Sequence, residues 1–182
     1  TKNSKGLDDW RRRVGNEEAD RIMKNASSVG TEMHKVSEFY YNNEKYFNAT
    51  DFGQLPRKMA EIIKENLKIN EVWGNEVSLA YNKEYAGTTD LVAVVEDKPT
   101  IVDFKQANRP KLEEWVDDYK HQLGAYYLAH RTHYGPVEQG VISIATRGLQ
   151  YQEFKLSEPV LSEYADKFLH RLEQFNKINK KG

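Results

Sequence analysis

Two aspartates and a lysine lie at the ends of neighbouring apolar segments in the middle of the sequence. Asp90 precedes the apolar run that starts at Leu91, and the segment TIVDFK ends with Asp103 and Lys105. Carboxylates bind hard divalent cations, and an ammonium group stabilises negative charge on phosphoryl oxygens. Placed around one point, these side chains would supply what phosphodiester hydrolysis requires: an activated water, charge stabilisation and help for the leaving alkoxide.

Two predicted hairpins would bring these residues together. Turn-forming residues separate three segments rich in β-branched and aromatic residues, which we predict to be strands at 72–80, 86–95 and 100–105. The end of the third strand would then lie beside the start of the second, with the two aspartates close together. Alternation places Asp103 and Lys105 on one side of the strand and Phe104 toward the core. The backbone carbonyl of Phe104 remains free to act as another oxygen ligand.

Helical periodicity predicts the elements that precede these strands. Residues around the arginine triplet 11–13 form a short polar helix, and Asn16 can cap a second helix that follows it. A further helix begins at Thr31. In that helix His34 and Glu38 lie one turn apart and therefore share a face.

The remaining elements follow from the same patterns. We predict helices at 57–67, 111–133 and 158–176 and strands at 137–145 and 149–156. The segment DFGQLP before the first of these helices is predicted to be a turn. Leu112 and Trp115 belong to the apolar pattern of the long helix at 111–133, which we expect to cover one face of the sheet.

Composition narrows the possible classes of protein. With 182 residues, 38% of them hydrophobic, the chain suffices for one domain, which we predict to span residues 1–182. It contains no cysteine, which excludes disulfides, cysteine nucleophiles and thiolate-held zinc or iron–sulfur clusters. The formal net charge of −1 lacks the basic excess typical of nucleic-acid binders, although carboxylates that bind cations lower the formal charge. No apolar run suits a membrane span or signal peptide, so we expect a soluble, intracellular protein.

Four segments resemble, in the family's order, the motifs of the RecB-type branch of the PD-(D/E)XK nuclease superfamily. GTEMHKVSE resembles the G-T-x-x-H-x-x-x-E helix, and residues 85–90 resemble the G-x-x-D strand. Asp103-Phe104-Lys105 resembles the D-x-K motif, and Gln122 and Tyr126 fit the Q-x-x-x-Y helix. A lone D-x-K is usually an ordinary surface pair, so the resemblance depends on the joint order of motifs across residues 30–126. The whole pattern looks most like small exonucleases of phages and of mitochondrial genome maintenance.

The resemblance implies a role for each motif residue. Asp90 and Asp103 would coordinate one or two Mg²⁺ or Mn²⁺ ions, and His34 would add an imidazole ligand. Lys105 would orient the attacking water and stabilise developing charge. Gln122 and Tyr126 would hold the active-site residues or contact the nucleic-acid backbone through hydrogen bonds. No iron–sulfur cluster is expected, because the cysteines that hold one in some relatives are absent.

Two glutamates and several basic or aromatic residues are further candidates. Glu76 on the preceding strand is a possible additional metal ligand, and Glu38 would orient its helix or the metal shell. We expect DNA contacts from a set of basic and polar residues: Arg11, Arg12, Arg13, Thr31, Gln106, Arg109 and Lys111. The arginine triplet is equally consistent with a solvated helix face. A group of aromatic residues fits base stacking, although packing at the core and its rim is commoner for such residues: Tyr40, Tyr41, Tyr46 and Phe47.

The resemblance also implies a fold and an activity. The fold would be α/β, with a central mixed sheet of about five strands flanked by helices, as in restriction endonucleases, and a metal site where the strands of Asp90 and Asp103 diverge. The activity would be metal-dependent hydrolysis of DNA from single-stranded ends, in replication, recombination or repair. The expected location is the cytoplasm of a phage-infected host, or an organelle.

Two alternatives remain open. One is a noncatalytic nucleic-acid-binding module of the same fold, and the other is a structure- or sequence-specific endonuclease. Relatives usually carry a further segment before the first helix, so we expect a shortened N-terminus at Thr1.

Overall fold

Five strands form one mixed sheet with helices on both faces. The structure is a computed structural model that describes residues 2–179, with side chains from Gly6 onward. The helices are α1 (Lys2–Val14), α2 (Asn16–Tyr41), α3 (Asp51–Asn66), α4 (Asp117–Tyr134) and α5 (Glu158–Asn179), and a 3₁₀ turn spans Glu113–Trp115. The strands are β1 (Ile69–Tyr81), β2 (Tyr85–Val95), β3 (Lys98–Ala107), β4 (Gln139–Thr146) and β5 (Tyr151–Ser157).

The strands lie in the sheet in chain order, from β1 to β5. Only the β3–β4 pair is parallel, and α4 makes the crossover that a parallel pair requires. The β1–β2 turn has positive φ angles at Asn82 and Lys83, and the β2–β3 turn has them at Glu96 and Asp97, as tight hairpin turns of this kind need. Both predicted hairpins are therefore confirmed, as is the α/β fold with a central mixed sheet flanked by helices.

Two apolar layers hold the helices onto the sheet. On the face covered by α2 and α3, Val102 and Phe104 of β3 pack with Met33 and Ile63 of the helices. On the face covered by α4 and α5, Ile101 of β3 lies in the other cluster, together with Ile142 and Ile144 of β4. This alternation is the period of two that a strand buried on both faces requires. Phe104 thus points to the α2–α3 face and fixes Asp103 and Lys105 on the opposite side of β3.

Two predicted helix boundaries at the N-terminal side are wrong. The second and third predicted helices form one helix, α2, and its N-cap residue is Gly15, with φ 86°, rather than Asn16. The segment DFGQLP is not a turn but the start of α3, because the Thr50 hydroxyl caps this helix by accepting a hydrogen bond from Gly53 N at 3.2 Å. The apolar stripe of α2 continues through Val29 and Met33, so burial keeps the helix continuous across the boundary that was predicted before Thr31.

The predicted start of the long helix at Lys111 is also wrong. Helix α4 begins at Asp117, and Leu112 and Trp115, which fitted its apolar pattern, are 55% and 46% exposed. The pattern holds from Val116 onward, where Val116 and Leu123 are fully buried. Residues 111–115 therefore have α-helical spacing but form only the 3₁₀ turn at Glu113–Trp115.

The ends of the chain limit two predictions. Thr1 and residues 180–182 lie outside the described residues, so a domain of 1–182 and a shortened N-terminus stay predictions. Within residues 2–179 no helix combines the length and apolarity needed to cross a membrane.

Gly124 of α4 is where the two C-terminal helices come closest. A Cβ built there would lie 2.5 Å from Ala165 N and 2.6 Å from the carbonyl carbon of Tyr164, both backbone atoms of α5. We expect Gly124→Ala to lower the free energy of unfolding by about 1–3 kcal/mol, because overpacking outweighs the roughly 1 kcal/mol that alanine gains in helix propensity. Urea denaturation measures this change.

A matched control is Gly6→Ala on α1, where a Cβ would meet nothing within 4 Å. That variant should be as stable as the wild type or slightly more stable, since only the helix propensity changes. Equal stabilities for the two alanine variants would contradict the close packing of α4 on α5.

Candidate active site

The site forms where β2 and β3 separate. β2 pairs with β3 only from Leu91 to Val95, opposite Val102 to Lys98, whereas its pairing with β1 continues to Tyr85. Asp90 and Asp103 occupy the next position on each strand after the last pair. Instead of a ladder hydrogen bond, Phe104 N donates to Asp90 Oδ2 at 2.6 Å. The carboxylate of Asp90 therefore replaces a backbone acceptor and is fixed between the two strands.

His34 brings α2 to this carboxylate. Its Nδ1 lies 3.0 Å from Asp90 Oδ1, and its ring meets the Phe104 ring edge-on with centroids 6.3 Å apart. Burial lowers the pKa of His34, but the hydrogen bond and the charge of Asp90 outweigh it, so the net pKa is raised. The imidazole of His34 thus holds its proton more tightly than a free imidazole.

Glu76 approaches Asp90 from the other side, through β1. Its backbone lies in the left-handed region, with φ 49°, at the position between Asn75 and Val77, which pair with Leu91 and Thr89 of β2. Ligand atoms of His34, Glu76 and Asp90 all lie within 4.8 Å of one another. Burial and the nearby charge of Asp90 raise the pKa of Glu76. Backbone strain at a non-glycine residue and mutual repulsion of carboxylates are typical of sites that bind a cation.

Asp103 and Lys105 form a buried ion pair beside this cluster. Asp103 is 2% exposed, and Lys105 Nζ donates to its Oδ1 at 2.7 Å. The other oxygen, Oδ2, lies 2.6 Å from the same Nζ, but it accepts no well-directed hydrogen bond from the described residues. Burial outweighs the attraction of Lys105 and raises the pKa of Asp103 to about 6. The pKa of Lys105 is also raised: burial alone would lower it, but the charge of Asp103 prevails.

A hydrogen-bond chain extends from Lys105 onto α4. Lys105 Nζ donates to Gln122 Oε1 at 3.0 Å, and Gln122 Nε2 donates to Tyr126 Oη at 2.9 Å. An ammonium group can only donate, so the amide of Gln122 has one possible orientation and the Tyr126 hydroxyl hydrogen stays available. Gly87 makes the approach of Tyr126 possible, because a Cβ there would lie 2.9 Å from the ring.

One residue of this cluster escaped prediction as part of the site. The ring of Tyr119 lies 5.2 Å from Lys105 Nζ, within range of a cation–π contact. Tyr119 precedes Gln122 by three residues, so both lie on the same face of α4. That spacing is visible in the sequence, where Tyr119 also fits the apolar pattern of the helix.

The structure links the Glu38 position to the site through its backbone. Asn75 Nδ2 donates to the carbonyl oxygen of Glu38 at 2.7 Å, next to Glu76. This contact ties α2 to the strained part of β1. A role for the Glu38 carboxylate stays a prediction.

The residues expected to contact DNA differ in their surroundings. A guanidinium nitrogen of Arg11 lies 2.6 Å from Asp20 Oδ1, and one of Arg12 lies 2.9 Å from Asp9 Oδ1, both pairs on the helix surface. Arg13 and Thr31 are also exposed. Paired arginines of this kind fit the solvated-face interpretation. Their contacts with DNA stay predictions.

Three more of these residues lie at the end of β3 or shortly after it. Gln106 is partly buried against α2, where its Nε2 donates to Ala26 O at 3.4 Å. Lys111 is held by Gln152, which bonds both its backbone N–H and its carbonyl. Arg109 is exposed and lies over the Trp115 ring, 5.6 Å from its centroid. Of the two charged residues, Arg109 is the more exposed.

The aromatic residues at 40–47 mostly pack rather than face solvent. Tyr41 stacks on Phe104 with centroids 5.7 Å apart, and Tyr46 stacks on Phe39 at 4.9 Å. Tyr40 bonds Glu61 through its hydroxyl at 3.3 Å. Phe47, in contrast, is 65% exposed. The packing interpretation thus describes the three tyrosines.

The donor set suits a hard divalent cation. Carboxylates of Asp90, Glu76 and Asp103 with the imidazole of His34 are ligands that Mg²⁺ and Mn²⁺ accept. The Phe104 carbonyl points to the same side of β3 as its N–H group, toward Asp90, because both groups of one strand residue face the same neighbour. Asp103 Oδ2 lies 2.6 Å from Lys105 Nζ, so this carboxylate is paired with the ammonium group, and a cation at Asp103 would compete with that contact.

Comparisons with known proteins bear on the fold. No protein-family model matches the chain, and no curated protein matches it. Twelve chains of solved structures match. One is a crystal structure from Eubacterium rectale described as a "Putative exonuclease", with a TM-score of 0.57 and 13% sequence identity. The match covers 80% of this chain and 64% of that chain, so this chain spans under two thirds of that protein. At this identity the likeness shows a shared fold.

Proposed function

We propose that this protein is a Mg²⁺- or Mn²⁺-dependent deoxyribonuclease that hydrolyses DNA from single-stranded ends, in replication, recombination or repair. The observation that carries the proposal is the convergence of five side chains from four elements, in which α2 supplies His34, β2 Asp90, β3 Asp103 and Lys105, and α4 Gln122. A buried lysine between a carboxylate and an amide, beside a second carboxylate, is poorly explained by stability alone.

Asp90 is the central ligand candidate. Its Oδ2 is held by Phe104 N, so the orientation of the carboxylate is set before a cation binds. Glu76 and His34 would complete its shell, since ligand atoms of these three residues lie within 4.8 Å of one another. Asp103 lies outside that group, beside Lys105, and is proposed as a further ligand. When bound, the cation neutralises charge on the phosphoryl group and makes water a stronger nucleophile.

Lys105 is the residue placed to meet the phosphate. Its ammonium group donates to both Asp103 and Gln122, which hold it at the mouth of the carboxylate cluster. There it can orient the attacking water and stabilise charge that develops on phosphoryl oxygens. Gln122 acts as a positioning residue, and the remaining hydroxyl hydrogen of Tyr126 is free to bond a phosphate oxygen.

The preference for ends and for single strands comes from the resemblance to RecB-type nucleases. The fold shared with the Eubacterium rectale protein agrees with that resemblance. A closed single-stranded circle separates the two kinds of nuclease, because an exonuclease needs a free end and an endonuclease does not.

The first prediction concerns Lys105. We expect Lys105→Met to lower cleavage of end-labelled linear single-stranded DNA by roughly a hundredfold or more, since a preorganised charge is lost from the transition state. The assay compares Mg²⁺, Mn²⁺ and EDTA. Methionine retains most of the apolar stem and tests the charge.

The matched control is Lys98→Ala, an exposed lysine at the other end of β3, which should retain full activity. Circular DNA should remain intact with the wild type. Binding of DNA without cleavage under every metal condition would instead identify a noncatalytic module, and opening of circles would identify an endonuclease.

The second prediction concerns pH. The raised pKa of Asp103, about 6, and the raised pKa of His34 mean that both groups carry protons at pH 5.5. A cation must displace these protons, so we expect Mn²⁺ affinity measured by titration calorimetry to be about tenfold lower at pH 5.5 than at pH 8. Asp103→Asn should bind Mn²⁺ more weakly at pH 8 and show a smaller pH dependence. Equal wild-type affinities at both pH values would count against these ligands.

The third prediction separates stability from binding at Glu76. Its left-handed backbone costs about 1–2 kcal/mol for a residue with a Cβ, and glycine removes that cost. Without metal, Glu76→Gly should therefore be more stable than the control Ser78→Gly, at an exposed and regularly paired position of β1, by about 1–2 kcal/mol. Only Glu76→Gly should weaken Mn²⁺ binding. If both variants lose stability equally and bind Mn²⁺ normally, Glu76 is not a strained ligand.

A further inference from the structure

The segment that joins the two catalytic elements exposes apolar side chains. We call residues 108–116 the bridging segment, because it connects β3, which carries Lys105, to α4, which carries Gln122. Leu112 and Trp115 of this segment are 55% and 46% exposed. Their spacing is typical of the buried face of a helix. In the structure, however, both side chains are partly exposed.

The bridging segment is nevertheless firmly anchored. Gln152 of β5 donates to Lys111 O at 2.7 Å and accepts from Lys111 N at 2.8 Å. Trp115 N donates to Leu112 O at 2.9 Å, and Val116 at the end of the segment is fully buried. The exposed indole therefore stands on a fixed backbone, as a binding surface requires, and not on a frayed loop.

Charge around the indole favours an anionic partner on one side. The guanidinium of Arg109 lies 5.6 Å from the centroid of the Trp115 ring. The nearby carboxylate of Glu113 is neutralised by Lys120, with Nζ 2.8 Å from its oxygen. Glu114 is exposed, so a phosphate backbone would pass on the Arg109 side.

The indole is also tied to the proposed centre through Arg109. Arg109, whose guanidinium lies 5.6 Å from the centroid of the Trp115 ring, follows Lys105 by four residues, which an extended chain spans in about 14 Å at most. A DNA strand whose phosphate reaches Lys105 would therefore bring a nearby base within reach of Trp115. Base and aromatic ring would then stack, which contributes roughly 1–3 kcal/mol per base.

We propose that Trp115, backed by Arg109, is a stacking platform for an unpaired nucleobase of the DNA strand held at the active site. This rests on the proposed nuclease function and gives a structural reason for single-stranded substrates. In a duplex the base faces are covered by their neighbours, so the platform has nothing to stack on.

Tryptophan fluorescence tests the platform without cleavage. The sequence has three tryptophans, so a Trp10→Phe/Trp73→Phe double variant leaves Trp115 as the single reporter. In EDTA, an oligo(dT) strand should quench this fluorescence by stacking, and a blunt hairpin duplex at the same concentration should quench it much less. Absence of quenching, or equal quenching by the duplex, overturns the proposal.

Cleavage kinetics of single-residue variants test the stacking platform in the otherwise unchanged chain. Trp115→Ala should raise KM for linear single-stranded DNA roughly tenfold with little change in kcat, and Trp115→Phe should restore most of the affinity. The control Trp73→Ala, an equally exposed tryptophan on β1 at 50%, should leave KM unchanged. If the wild type cleaves DNA and Trp115→Ala has normal KM, the platform is wrong and the nuclease stands. If the wild type cleaves nothing, the nuclease proposal fails, and the quenching result alone decides the platform.

Discussion

The hydrogen bond from Phe104 N to the carboxylate of Asp90 is the contact on which the site depends. It substitutes for a ladder bond at the position where β2 and β3 part, so the strands can diverge without leaving a buried N–H unpaired. Beside this divergence His34 and Glu76 approach Asp90, and Lys105 pairs with Asp103. A charge-assisted bond of this type contributes about 1.5–3 kcal/mol, which offsets the loss of a ladder hydrogen bond where the two strands separate.

The same region contains the least favourable local structure of the described chain. Asp103 is buried as a charge, Glu76 has a left-handed backbone, and Lys105 is mostly buried. Apolar layers on both faces of the sheet offset these costs, and Tyr41 stacks directly behind Phe104 to hold β3 in place. Apolar packing is thus concentrated around β3 and β4, and the strained Glu76 lies beside Asp90, where β2 and β3 separate.

Sequence reasoning predicted the sheet well because hairpin chemistry is local. Turn residues such as Asn82 and Asp97 mark their own positions, and alternation assigns each face of a strand. Helix starts were predicted less well: the cap at Thr50 is a local contact with Gly53 that the turn interpretation of DFGQLP overlooked, whereas the unbroken α2 depends on burial of Val29 and Met33 against elements distant in sequence. The sequence predicted Glu76 as a possible ligand, but its exact position opposite Asp90 depends on an irregularity in β1–β2 pairing between Val72 and Gly74, which the sequence does not reveal. Motif spacing gave no sign of Tyr119, whose contact with Lys105 only the fold shows.

The disagreement between pattern and burial at Trp115 is itself informative. Apolar residues at helical spacing normally become buried, and those from Val116 onward do. Leu112 and Trp115, which precede them, stay partly exposed, although Gln152 anchors the backbone at Lys111. Trp115 keeps 46% of its surface in solvent, so folding leaves part of its apolar surface uncovered. Its position, between the strand that carries Lys105 and the helix that carries Gln122, makes a ligand held by those residues the partner that would cover it.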